Sequence, residues 1–166
     1  MKIISNFVDG KLTKENPSNF IPLYKPTTGE EYAHVPITTK EEFNNIINKM
    51  KIAQLSWANT AITKRSNILF KFKSLIEKDF DGIAKIISEE HGKVFSDAKG
   101  SLQRGLEVVD FACGIPHLLK GNHSINVGTN VDLFDIRQPL GICAGITPFN
   151  FPAMVPMWMF PLSIAC

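Results

Sequence analysis

No sign of charge dominates this sequence. Its 18 lysines and arginines stand against 16 acids, a formal charge of +2 at pH 7, and the two kinds are interspersed. No field exists to gather nucleic acid or an anionic membrane, so neither partner is expected. Cysteine is scarce: Cys113, Cys143 and Cys166 are an odd set, widely spaced in apolar surroundings. That excludes a disulfide framework and a zinc site and fits a reducing cytoplasm. His34, His91, His117 and His123 lack metal-ligand spacing and read as surface or loop histidines, so no metal is expected. No apolar run spans a bilayer either. AMVPMWMFPLSIAC, residues 153–166, falls short of the ~18 residues required and contains Pro156 and Pro161. The start, MKIISNFVDGKL, has neither a secretory signal core nor an arginine-rich organelle leader, which leaves a cytoplasmic location as the expectation. Finally there is no GxGxxG. Gly141 and Gly145 are wrongly spaced for it, so the usual dinucleotide fingerprint is missing.

What is present describes a globular protein. With 44% apolar and 20% charged residues, disorder is excluded and one domain with its own core is expected. The apolar segment at the end stops at Cys166 with neither capping glycine nor polar tail, and the sequence therefore reads as the first part of a longer one.

Three regions follow along the chain. Between Phe7 and Pro36, Asp9-Gly10 predicts a hairpin, and Pro26 with Thr28-Gly29 a second turn, among short strands. Thr39 and Glu42 have capping-box spacing, opening a helix whose apolar face, Phe43, Ile46, Ile47, Met50, Ala53 and Trp57, is expected to be buried. A second helix carries Ile68, Leu69, Phe72, Leu75 and Ile76; a third carries Ile83, Ile86 and Ile87 and stops at Gly92. The fourth starts near Ser96 or Asp97 and repeats Ala98, Leu102, Gly105, Val109 and Ala112. These four helices should form a layer. Beyond Pro116 the pattern changes: Gly121, Asn122 and Gly128 mark a loop, and Val131 to Arg137 predicts an exposed or edge strand.

LGICAGI, residues 140–146, bounded by Pro139 and Pro148, predicts a strand buried on both faces, followed by a helix with Pro152 at its first position. Asn150 in ITPFNFP then falls at the strand's carboxyl end, where open α/β sheets place ligands. From the residues alone it is either a donor aimed at a ligand, in a site dried by Phe149 and Phe151, or an amide satisfying backbone groups in the turn. Arg104 is likewise open: a guanidinium fork for a carboxylate, or a helix-surface arginine pairing with Glu107 or Asp110.

RQPLGICAGITPFNFPAMVPMWMFPLSIAC, Arg137 to Cys166, closely resembles the start of the cofactor domain in the aldehyde dehydrogenase superfamily, and within it the CoA-acylating methylmalonate-semialdehyde group. EEHGKVFSDAKG followed by RGLEVVDFACGIP, Glu89 to Pro116, is similar to that family's long helix, and FVDGK and KPTTGE to its opening hairpin. The resemblance implies an α/β fold: β-hairpins and a helical layer over residues 1–121, an oligomerisation strand region over 122–138, and the first βα unit of a Rossmann-like parallel sheet over 139–166. It implies that Asn150 donates to the oxyanion formed when a cysteine thiolate attacks an aldehyde. Ile146, Thr147, Pro148 and Phe149 would line the nicotinamide side of NAD, and Arg104 would meet the substrate's carboxylate. The reaction implied takes methylmalonate or malonate semialdehyde to propionyl-CoA or acetyl-CoA, with NAD as oxidant and coenzyme A as acyl acceptor, in a homo-oligomer. None of the three cysteines resembles the family nucleophile, whose motif lies far downstream, so the chain alone is expected to be inactive. Two alternatives stand beside this: a non-acylating enzyme that yields a free acid, and a stub that acts only by associating with full-length subunits.

Overall fold

The computed structural model describes residues 2–13 and 19–166. Strands come first: β1 (Lys2–Ile3), β2 (Phe7–Val8), β3 (Lys11–Leu12), β4 (Phe20–Tyr24) and β5 (Glu31–Pro36). Asp9 and Gly10 both take positive φ, 56° and 73°, which is what a two-residue I′ turn requires and why Asp-Gly predicts it. They join β2 to β3 with Phe7 opposite Leu12. The second turn also forms, with the Gly29 amide donating to the Lys25 carbonyl at 2.8 Å, and it pairs β4 antiparallel to β5. β1 lies parallel to β5 on its other edge, giving the order β1-β5-β4.

Helices follow: α1 (Lys40–Ala58), α2 (Ile62–Lys78), α3 (Phe80–His91), α4 (Phe95–Cys113) and the single turn α5 (Ile115–Leu118). At α1 the capping box is complete. The Glu42 amide donates to Thr39 Oγ1 at 3.2 Å, and the Thr39 amide donates to the Glu42 carboxylate at 2.6 Å. The left-handed Gly92 (φ 80°) ends α3 as a C-cap, its amide donating to the Ser88 carbonyl at 2.8 Å.

α4 is the centre of the molecule. Ala98, Leu102, Leu106 and Val109 form one core with Ile76 of α2, Ala84 and Ile87 of α3, and Met157. Ala112 and Cys113 form a second core with Leu69, Ile115 and Ala165. The last helix, α6 (Met154–Ala165), lies against α4 at Gly105, where an added Cβ would collide with Met157 Cε and sit 3.3 Å from the Met154 Cα. A side chain there would hold the two helices apart.

Four expectations are corrected. The apolar face of α1 is not covered: none of its residues is buried, and Phe43 and Met50 are exposed. Helical period identifies such a face but not its partner. Among the described residues α1 is tied to α6 through the Trp57 indole N–H, which donates to the Ile164 carbonyl at 2.9 Å. The loop expected around 121–128 is mostly a strand, β6 (His123–Gly128), pairing antiparallel with β7 (Val131–Phe134); Gly121 and Asn122 precede it and Gly128 is its last residue. β7 is exposed throughout, as its charges suggested. Residues 140–146 form no strand, and Leu140 is 96% exposed. A strand is defined by its neighbour, and among the described residues nothing pairs with this segment. Pro152 precedes the helix instead of opening it, since α6 begins at Met154 with Ala153 as N-cap.

Candidate functional site

One stripe of α4 is polar where the neighbouring stripe is core. Asp97, Ser101 and Arg104 recur at helical spacing, one turn apart, and Gly100 among them leaves open space where a side chain would stand. Together with the corner between α3 and α4 and the turn before α6, this stripe bounds a cleft of about 450 Å³. Asn150 and Phe151 come from that turn, and His91 and Lys93 from the corner. The two residues singled out for chemistry, Arg104 and Asn150, are 46 apart in sequence (150 − 104) and line the same cleft.

Both are uncommitted. Arg104 makes no ion pair or hydrogen bond among the described residues, and Asp110, one of its two candidate surface partners, is bound by Lys73 at 2.7 Å. The Asn150 side-chain amide also makes no hydrogen bond there, so it is not spent on the backbone of its turn; only its main-chain carbonyl is engaged, accepting from Lys93 Nζ at 3.0 Å.

Two cleft residues escaped sequence reasoning. Lys93 reaches over the Phe151 ring, 4.5 Å from its centroid, as well as to the Asn150 carbonyl. His91, read as a surface or loop histidine, lines the cleft and has a buried Nδ1 with no hydrogen-bond partner. The segment EEHGK held both, but nothing in its pattern pointed to a site until Gly92 turned the chain there. Lys93 and Arg104 outnumber the single carboxylate, Asp97, among the lining residues, so the cleft favours an anionic ligand.

Other expected residues lie elsewhere. Ile146, Thr147, Pro148 and Phe149 adjoin Asn150 in sequence but do not line the cleft; Ile146 is 94% and Phe149 88% exposed. Phe149 therefore does not face the cleft, and of the two phenylalanines only the half-buried Phe151 lines it. Of the cysteines only Cys113 has the apolar setting expected. Burial pushes its thiol pKa up, the Asp110 carboxylate adds to this, and Lys73 opposes it. Cys143 and Cys166 are exposed, against expectation, and neither lines the cleft. Among the described residues no three metal-ligating side chains converge.

The fold belongs to a known class. The sequence model of the aldehyde dehydrogenase family matches residues 12–166, and the chain is a member of that family. Within it, the chain is 44% identical over 166 residues to the malonate-semialdehyde dehydrogenase of Pseudomonas aeruginosa, covering 100% of this chain and 33% of that one. It is 45% identical over 163 residues to the acylating, mitochondrial methylmalonate-semialdehyde dehydrogenase of Arabidopsis thaliana, covering 98% of this chain and 27% of the relative. A Sinorhizobium meliloti structure complexed with NAD superposes with a TM-score of 0.95 at 41% identity, over 100% of this chain and 34% of the other. The chain thus spans about a third of the length of these relatives. The mixed α/β fold is that of the N-terminal part of aldehyde dehydrogenase structures.

Proposed function

We propose that the chain is the N-terminal part of an NAD-dependent, CoA-acylating dehydrogenase of methylmalonate or malonate semialdehyde. The observation that carries this reading is the pairing of an uncommitted guanidinium and an uncommitted amide on one cleft of net positive charge. A semialdehyde of this kind has a carboxylate at one end and a reacting carbonyl at the other. Arg104 takes the carboxylate, its fork matching the two oxygens. Asn150 donates its amide to the carbonyl oxygen as a thiolate adds to the carbon and charge moves onto that oxygen; such a donor is worth ~2.7–4 kcal/mol in the transition state. None of the three cysteines suits the attack, Cys113 being buried with its thiol pKa raised and the others lying off the cleft. The nucleophile therefore comes from outside residues 1–166, and this chain alone does not turn over.

Residues 146–149 fit a nicotinamide ring, since Ile146 and Phe149 leave an uncovered apolar surface next to Asn150. NAD, when bound, supplies the acceptor for the hydride leaving the substrate carbon. The resulting acyl thioester loses carbon dioxide and passes to coenzyme A, giving propionyl-CoA or acetyl-CoA. The names of the Pseudomonas and Arabidopsis relatives support the substrate, the acylating designation of the latter supports the acceptor, and the NAD complex of the Sinorhizobium structure supports the cofactor. We assign residues 1–121 to the N-terminal strands and helical layer, 139–166 to the first part of the cofactor-binding unit, and the exposed hairpin region 122–138 to subunit association. Product analysis of the enzyme extended to the length of its relatives tests the reading. Acyl-CoA should form only when coenzyme A is present, and a free dicarboxylic acid formed equally with or without it would mark a non-acylating enzyme instead.

A further inference from the structure

Residues 139–153 contain neither helix nor strand, yet Asn150 sits in them. Something else must hold its amide still, because a donor contributes to a transition state only when it is already in place. Downstream, Phe151 is tied to α6 by the Val155 amide, which donates to the Phe151 carbonyl at 3.3 Å. From across the cleft, Lys93 supplies the rest: its ammonium donates to the Asn150 carbonyl at 3.0 Å and stands over the Phe151 ring. Lys93 is itself well fixed. The Ser88 hydroxyl donates to its carbonyl at 2.6 Å, Gly92 before it is the left-handed cap of α3, and Val94 after it is the N-cap of α4. Both helices on which that corner rests belong to the main core.

We propose that Lys93 is the positioning residue of Asn150, a strut from the α3–α4 corner that sets the plane of the Asn150 peptide and so the direction of its side-chain amide. Its ammonium contacts the turn and needs no contact with substrate for this role, while its charge still counts toward the positive balance of the cleft. The contact itself stands on geometry; its consequence for catalysis rests on the dehydrogenase reading above. The two are tested separately.

The first measurement is NMR on this 166-residue chain. In the wild type, the Lys93 Hε signals should move upfield in the ring current of Phe151. In Lys93→Met, which keeps the stem, backbone order at 150 and 151 should fall from roughly 0.85 to below about 0.6. The Asn150 side-chain amide signals should shift, α4 amides should not, and Lys93→Arg should restore the wild-type pattern. Unshifted Hε signals in the wild type overturn the proposal whether or not the methionine variant folds, as does unchanged order at 150 and 151 in a folded variant. The second measurement is kinetic, on the enzyme extended to the length of its relatives. Lys93→Met should lower kcat by up to about 10²-fold with KM for the semialdehyde unchanged, and arginine should recover most of it. A strut demonstrated by NMR with kcat unaltered would instead remove Asn150 from the oxyanion site.

Discussion

At the scale of single residues, Arg104 is the sharpest test of substrate class. A hydrogen-bonded charge pair of the kind proposed contributes about 1.5–3 kcal/mol, a factor of roughly 10 to 150 in binding. Arg104→Leu in the extended enzyme should therefore raise KM for carboxylate-bearing semialdehydes by at least about tenfold while leaving neutral aldehydes of the same length nearly unaffected. Steady-state kinetics on the two substrate types checks it, and an equal effect on both would remove the basis for an acidic substrate. Asn150 was legible as a candidate from its place after an apolar run, with the turn reading favoured until the family resemblance was added, and Arg104 was picked out through that resemblance. Lys93 and His91 were not. Their place depends on a left-handed corner at Gly92 and on a contact bridging 57 positions, and no local pattern encodes either.

At the scale of elements, two glycines of α4 should respond with opposite sign to the same substitution. At Gly100 an added Cβ meets open space, so Gly100→Ala should stabilise by up to about 1 kcal/mol through helix propensity alone. At Gly105 the added methyl meets Met157 and the α6 backbone, and overpacking of about 1–3 kcal/mol should outweigh that gain. Urea unfolding of the two variants reads the difference; a shift of the same sign in both would mean that α6 yields freely. The N-terminus of α1 carries a pH dependence. Hydrogen bonds from the Thr39 backbone amide and then from its hydroxyl hold the Glu42 carboxyl below its ordinary value of 4.5. A depressed carboxylate stabilises the folded state fully above that ordinary value and loses its contribution as pH falls through the lower folded one. Circular dichroism should show α1 helicity declining in that acidic range in the wild type and less steeply in Glu42→Gln. This cap was legible, as were the Asp9-Gly10 turn and the apolar repeat of α4 from Ala98 to Ala112, since each follows a local pattern. The strand over 140–146 was misread for the converse reason: apolar content predicts burial, but a ladder needs a second strand.

At the scale of the whole molecule, much apolar surface is uncovered. Ile52 and Leu55 on α1, Ile125 and Phe134 on the β6–β7 hairpin, and Leu140, Ile146 and Phe149 beyond it are all exposed. Contiguous patches beyond a few hundred Å² are unusual on a soluble monomer and mark association surfaces. The purified chain should therefore bind a hydrophobic dye such as ANS and sediment as concentration-dependent assemblies, and it should yield no NADH from any semialdehyde. Sustained NADH formation by residues 1–166 would place the nucleophile within this chain after all. The bond from the Trp57 indole to the Ile164 carbonyl gives such experiments an internal gauge. The chain has two tryptophans, and Trp158 is exposed. Trp57 is the less exposed of the two, and a change in its emission during gentle warming, read in Trp158→Phe, would time the undocking of α1 separately from the melting of the α2–α4 core.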